Sequence, residues 1–207
     1  MHIKSIYLIQ HCQSEHHVNE LTGGWTDTPL TALGLKQAQF VAKELASRNL
    51  KDFKIMTSDL KRAKMTANAI SEIFNVPVKE EAILREINNG EAANKTKAWA
   101  EAHKLTSNND FDINARDWQN AETPLELYNR MQMVIKNHLL ETKTDLIIVS
   151  HGVALRYLVS AWLGISVKDF KDTILHGNAG SISVLKINHN QQRFLSQFNH
   201  IAHLTQS

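Results

Sequence analysis

One cysteine, Cys12, stands among the 207 residues, so no internal disulfide can form and a zinc site built from paired thiolates is excluded. A lone thiol agrees with a reducing compartment. No apolar run approaches the ~20 residues of a membrane-spanning helix. Nor does the chain open on a charged segment followed by a long apolar stretch, as a signal peptide would. A cytoplasmic protein with no membrane partner is expected. Charge of one sign is scarce too, because 23 Lys and Arg face 21 Asp and Glu for a net charge of +2. There is no long basic run, and nothing calls for nucleic acid as a partner. Internal repeats and low-complexity linkers are absent as well. With 43% hydrophobic residues, the chain can bury a sizeable core as a single domain over 1–207, elaborated by an insertion.

What is present begins with KSIYLIQHCQSEHH. Ile6, Tyr7, Leu8 and Ile9 form a short apolar run of strand-forming types that ends abruptly in polar residues, so a buried strand delivers His11 to a polar edge. A strand followed by a His-rich surface loop explains the same stretch. The next segment, with Gly23, Gly24, Asp27 and Pro29, reads as a loop whose paired glycines let backbone N–H groups approach a ligand. Thr31 then caps a helix to about residue 48, with Leu35, Ala38, Val41, Ala42 and Leu45 at helical spacing. Residues 53–57 form a second strand, and Ser58 or Asp59 caps a helix to about residue 74. That helix buries Ala63, Ala67, Ile70 and Phe74, which leaves Lys61, Arg62 and Lys64 in its first turn. Cations are mildly unfavourable there. They are solvated surface charges, or an anion binds at this helix start.

Residues 76–78 suit an edge strand, because Pro77 cannot donate to a ladder. Arg85 and Glu86 precede a turn at Asn88, Asn89 and Gly90. An insertion over about 94–121 follows, with a helix near 95–104 and then an irregular stretch that could wall a pocket. Thr123, Pro124 and Glu126 mark a strong helix start, and that helix runs to about residue 142, burying Tyr128, Met131, Ile135 and Leu139. DLIIVS, residues 145–150, is apolar on both faces, as a parallel strand covered by helices would be. It leads straight into His151, Gly152 and an apolar helix closed by Gly164. A late strand over 181–187 and a hairpin partner over 193–198 complete the chain.

Two strands therefore end in histidine. In an open α/β sheet, ligands sit beyond the carboxyl ends of the strands, so His11 and His151 point into one crevice, with Arg62 and Glu86 also just past strands. Two imidazoles, an arginine and a carboxylate suit phosphoryl transfer without a metal. A neutral imidazole attacks phosphorus, cations steady the equatorial oxygens, and a carboxylic acid protonates the leaving oxygen. A zinc site drawn from His11, His16, His17 and His151 is the competitor, but no ligand pair falls at recognised spacing.

LIQHCQSE, GGWTDTPLTALGLKQA, SDLKRAKMTA, LREINNGE and VSHGVALRYL together resemble, in order, five motifs of the histidine phosphatase superfamily, the phosphoglycerate-mutase-like proteins. The resemblance runs essentially from end to end. It implies a three-layer αβα sandwich with a mostly parallel central sheet, helices on both faces, and the insertion covering the active site. It also implies roles. His11 would become phosphohistidine, Arg62 and His151 would hold phosphoryl oxygens, and Glu86 would be general acid and then base. Ser14 resembles the hydroxyl residue of the first motif and Gly152 the small neighbour of the second histidine. Gln10 and Cys12 stand where the family has Arg and Gly, and the family's usual pocket Asn and Arg fall on His17 and Leu21. Gln donates a hydrogen bond but brings no charge and no guanidinium fork. The expected phosphate-binding set is thus Gln10, Ser14, His17, Gly23, Gly24 and Gly152, with no metal and no cofactor. The implied activity is hydrolysis of a small phosphorylated metabolite. A family member that binds without turnover is the alternative, and a phosphoglycerate-type mutase the third.

Overall fold

The computed structural model describes residues 4–105, 111–171 and 175–205. Six strands form one sheet: β1 (Lys4–Gln10), β2 (Phe53–Thr57), β3 (Val78–Glu80), β4 (Asp145–Ser150), β5 (Ile182–Ile187) and β6 (Arg193–His200), in the order β3-β2-β4-β1-β5-β6. The pairings from β3 through β2 and β4 to β1 are parallel, whereas β5 and β6 join as an antiparallel hairpin beside β1. The expected α/β sandwich is thus a mixed sheet. Its central strands, β4 and β1, carry apolar residues on both faces because helices cover both. The helices are α1 (Glu15–Val18), α2 (Ala32–Ser47), α3 (Lys61–Phe74), α4 (Lys97–Ala102), α5 (Pro124–Val134) and α6 (Gly152–Leu163).

Strand alternation sorts the core into two layers. Ile6, Leu8, Leu146 and Ile148 pack with Leu127 and Met131 of α5 and Leu158 and Trp162 of α6. Tyr7, Ile9, Ile147 and Val149 pack with Val41 and Leu45 of α2 and Ala67 and Ile70 of α3. No helix among the described residues is long and apolar enough to cross a membrane.

Most elements form where the sequence places them, and the differences have local causes. The residue that caps α3 is Leu60, with no side-chain cap bond, rather than Ser58 or Asp59. Ser58 is buried and accepts from the Leu60 amide through its hydroxyl, while the Asp59 carboxylate is engaged by Arg85. Strand β3 starts at Val78, after Pro77, where backbone donors become available for pairing with β2. Thr123 and Glu126 do form a reciprocal capping box on α5. Beyond Val134 that helix widens into a π turn, Ile135–Leu140, and Tyr128 is half-buried. Of the insertion, α4 is the regular part, shorter than expected and capped by Thr96, whose hydroxyl accepts from Trp99. Residues 106–110 lie outside the described residues.

Two tertiary ties bear on the end of β1. At Gly34, in the first turn of α2, a Cβ would stand 1.9 Å from the Gln13 carbonyl oxygen. Gly34→Ala is therefore expected to lower stability by about 1–3 kcal/mol or more, the range for forced overpacking, read as a drop in the urea midpoint. On the other side, the Gly180 amide donates to the carbonyls of Gln10 and His11 at 3.0 and 3.3 Å. The Gly180 carbonyl in turn accepts from Nε2 of His203, 3.0 Å away on the final turn, Ala202–Thr205.

Candidate active site

The register of the two central strands builds the site. Gln10 pairs with Ser150 across β1 and β4, so the next residue on each chain path, His11 and His151, leaves the sheet at the same level. Their ring centroids are 5.0 Å apart in an edge-on arrangement. The crevice expected at the carboxyl ends of the strands is lined by His11, but His151 is not among its lining residues, so the two rings do not both open into it.

The protonation pattern of His11 follows from its partners. Nδ1 lies 2.8 Å from the Cys12 carbonyl oxygen, which can only accept, so Nδ1 carries the proton. Nε2 accepts from Nε–H of Arg62 at 3.1 Å, leaving an unprotonated nitrogen at the pocket. Burial first, and then the Arg62 charge, hold the His11 pKa well below its usual value. The same causes lower His151. His151 is fully buried, and neither ring nitrogen has a hydrogen-bond partner. It is not among the residues that line the pocket beside His11.

Arg62 is buried, with 1% exposure, which overturns its reading as a solvated charge. Besides His11, its guanidinium donates to the carbonyls of Thr26 and Gly24 at 2.6 and 2.8 Å. Burial pushes its pKa down to about 10, so it stays charged at neutral pH. Gly24 adopts φ +58°, and a Cβ there would collide with the Asn89 amide, 2.2 Å away. That close approach lets Asn89 accept from the Trp25 amide at 2.9 Å, while the Trp25 indole donates to the Glu86 carbonyl at 3.0 Å. The glycine loop thus fastens the Arg62 side of the pocket to the Glu86 side.

Glu86 is buried, and its carboxylate accepts three backbone N–H bonds, from Ile87, Val153 and Ala154, at 2.8–3.0 Å. Two of those amides belong to the first turn of α6, a position that suits a carboxylate. Around these groups lies a pocket of about 200 Å³, also lined by Gln10, His16, His17, Gly23, Gly24 and Gly152. The Gln10 amide packs against Gly152, where a Cβ would come within 3.2 Å of it. Ser14 does not line this pocket. It is fully buried at the start of α1, with its hydroxyl 2.8 Å from Nδ1 of His16 and its amide donating to Nδ1 of His17 at 3.1 Å. Ser14 therefore orients histidines where direct phosphate contact was expected.

His17 accepts at Nδ1, so its neutral ring carries the proton on Nε2, a donor suited to an anion. The rings of His11 and His17 stack at 5.5 Å, and nitrogens of His11, His16 and His17 lie within 4.8 Å of one another. This set does not suit a divalent metal. The free nitrogen of His11 already accepts from Arg62, whose cation would repel a second one, and His17 offers a proton rather than a lone pair. Arg156 and His176, which line the same pocket, are residues the sequence reading missed. Arg156 sits one turn after Gly152 on α6, so helical spacing alone would have found it. No pattern marks His176.

Comparison with known proteins matches the chain to the family model for the histidine phosphatase superfamily (branch 1) over residues 6–200. The chain belongs to this superfamily. Among curated histidine phosphatase relatives, the "Probable phosphoglycerate mutase GpmB" of Proteus mirabilis (strain HI4320) is 32% identical over 163 residues, covering 77% of this chain and 75% of that one. Among solved structures, a mycobacterial glucosyl-3-phosphoglycerate phosphatase superposes with a TM-score of 0.81 at 22% identity, covering 97% of this chain and 100% of the other. Bacillus stearothermophilus YhfR gives a TM-score of 0.79 at 23% identity, covering 97% and 99%.

The buried imidazoles of this superfamily member carry a stability signature. Burial lowers the pKa of His16 to about 3. Below pH 6.5 the unfolded chain takes up protons that the folded chain refuses, so stability is complete above that pH and falls as the pH drops towards 3. Each such ring contributes a slope of up to about 1.4 kcal/mol per pH unit. The urea midpoint is expected to fall between pH 7.5 and pH 5, and more gently in His16→Gln.

Proposed function

We propose that this chain hydrolyses a phosphate monoester of a small metabolite through a phosphohistidine at His11. The observation that carries the reading is the unprotonated Nε2 of His11, a residue that lines the pocket; its one bond there comes from Arg62 Nε–H, and the lone pair is freed to attack when that guanidinium turns to the phosphoryl oxygens. In the first step Nε2 attacks phosphorus, the ester P–O bond breaks, and the Glu86 carboxylate passes to the departing alcohol oxygen the proton that the phosphate monoester monoanion brings. Arg62 neutralises charge on the equatorial oxygens, and N–H groups of the neutral His151 and His17 rings donate hydrogen bonds to them. In the second step Glu86 takes a proton from water, whose oxygen attacks phosphorus, and the P–N bond breaks to release phosphate and free His11. No metal or cofactor takes part. In this reading the chain is a single domain in a cytoplasmic setting, and the described part of the insertion, from Phe111 to Ala121, lines the larger space beside the pocket.

Gln10 sets the rate in this reading, because it stands where the family's first motif carries a charged fork. Losing one preorganised donor in such a site costs ~10²–10³ in rate. Gln10→Arg is therefore expected to raise kcat/KM at least about tenfold on p-nitrophenyl phosphate; an unchanged value would mean that His17 and Cys12 have remodelled the pocket. A chain that binds without turnover is the reading Gln10 favours, and a mutase is the one the names of its sequence relatives favour. A panel of p-nitrophenyl phosphate and sugar phosphates, run beside His11→Ala, separates hydrolysis from mere binding. Equal background rates in both proteins would sink the phosphatase reading, and interconversion of phosphoglycerates in a separate assay would establish the mutase.

A further inference from the structure

Next to the 200 Å³ pocket lies a larger space of about 510 Å³. The two share a wall, Val153 and Arg156 of α6. Glu86 lines the smaller one, and the next residues along the chain, Ile87 to Asn89, line the larger. Because the amides of Ile87 and Val153 both hold its carboxylate, Glu86 sits at the junction. A carboxyl group at that junction meets the oxygen that leaves phosphorus, so the alcohol attached to that oxygen extends into the larger space.

We infer that this space receives the alcohol part of the substrate, and that this alcohol is bulky, uncharged and carries a flat apolar ring. The inference rests on the phosphatase reading above. Size is the first argument: pockets of ~300–1,000 Å³ enclose drug-sized ligands, and a three-carbon glycerate would leave most of this one empty. Lining is the second. Ile87, Phe111, Trp118 and Tyr157 contribute apolar and aromatic surface, and Phe111 is left 38% exposed. An aromatic side chain left open on a cavity wall is a platform for a ring. Charge is the third argument. Asp117 lies 3.5 Å from Lys104 and Glu122 is held by Arg130 at 2.8 Å, which leaves Asp112 and Arg156, one charge of each sign, on the rest of the wall. The wall therefore has no surplus charge to offer a second ionised group on the substrate.

The test uses esters whose leaving groups are alike, so that intrinsic reactivity does not decide the outcome. Ethyl phosphate, 2-(2-naphthyl)ethyl phosphate and 3-phosphoglycerate are compared as substrates of the whole chain. The naphthyl ester is expected to show a kcat/KM about 100-fold above ethyl phosphate, as burial of one ring system would give, with 3-phosphoglycerate no better than ethyl phosphate. Ala115→Trp, which fills the larger space, is expected to cut the naphthyl-to-ethyl ratio at least tenfold. Affinity is measured separately by calorimetry on His11→Ala, and at least tenfold tighter binding of the naphthyl ester is expected. Equal affinities, or a preference for 3-phosphoglycerate, would overturn the inference. Absence of turnover on all three esters would instead count against the phosphatase reading, and the affinity ratio would still decide what the larger space accepts.

Discussion

His11→Ala is expected to lose turnover by about 10⁴-fold or more, the scale on which removal of a catalytic nucleophile is felt. The loss is large because nothing else in the pocket can replace the imidazole. His16 turns Nδ1 to the Ser14 hydroxyl, His17 carries its proton on the nitrogen it offers, and His151, 5.0 Å from His11, does not line the pocket. Rapid quench with ³²P-labelled substrate gives a second reading. The unaltered chain is expected to yield an acid-labile, base-stable phosphoprotein, and the His11→Ala chain none. Label of equal amount in both would move the nucleophile elsewhere.

Arg62→Ala is expected to act twice over. Its removal takes a buried cation from the phosphate site, at a cost of ~10²–10³ or more in kcat/KM. It also strands the carbonyls of Gly24 and Thr26, at about 1–3 kcal/mol for each one left without a partner. Both kcat/KM and the urea midpoint are therefore expected to fall together. Arg62→Lys keeps the charge but not the fork that spans His11, Thr26 and Gly24, so little of the activity is expected to return. A variant that lost stability but kept full turnover would remove Arg62 from the chemistry.

The same residue marks how far the sequence is readable. Periodicity placed Arg62 in the first turn of a helix but could not say whether it faced water, because its burial is decided by the loop of Gly23 and Gly24, 38 positions earlier in the chain for its Gly24 contact. The central strands were legible, since burial on both faces leaves an unbroken apolar run in β1 and β4. So was the helix at Thr123, where two side chains bond reciprocally within three residues. Elements set by distant partners were not. The cap of α3 moved to Leu60 because Arg85 claims Asp59, and Ser14 proved to be a support for His16 and His17, which only the folded loop makes evident. The pairing of His11 with His151 was inferable because each follows a strand directly. Arg156 was overlooked although one helical turn links it to Gly152.

The placement of β1 between β4 and β5 also bears on the order in which the protein is made. The strand that presents His11 is synthesised before both of its neighbours, which lie some 140 and 180 positions further along, at Leu146 and Ile187. While the chain is still emerging from the ribosome, β1 is an open sheet edge with Ile6, Leu8 and Ile9 unpaired, a form prone to the wrong partners. The carbonyls of Gln10 and His11 gain the Gly180 amide, and Gly180 gains His203, only after those later segments have been added. A nascent polypeptide therefore carries all five motifs some time before the end of β1 is held from both sides.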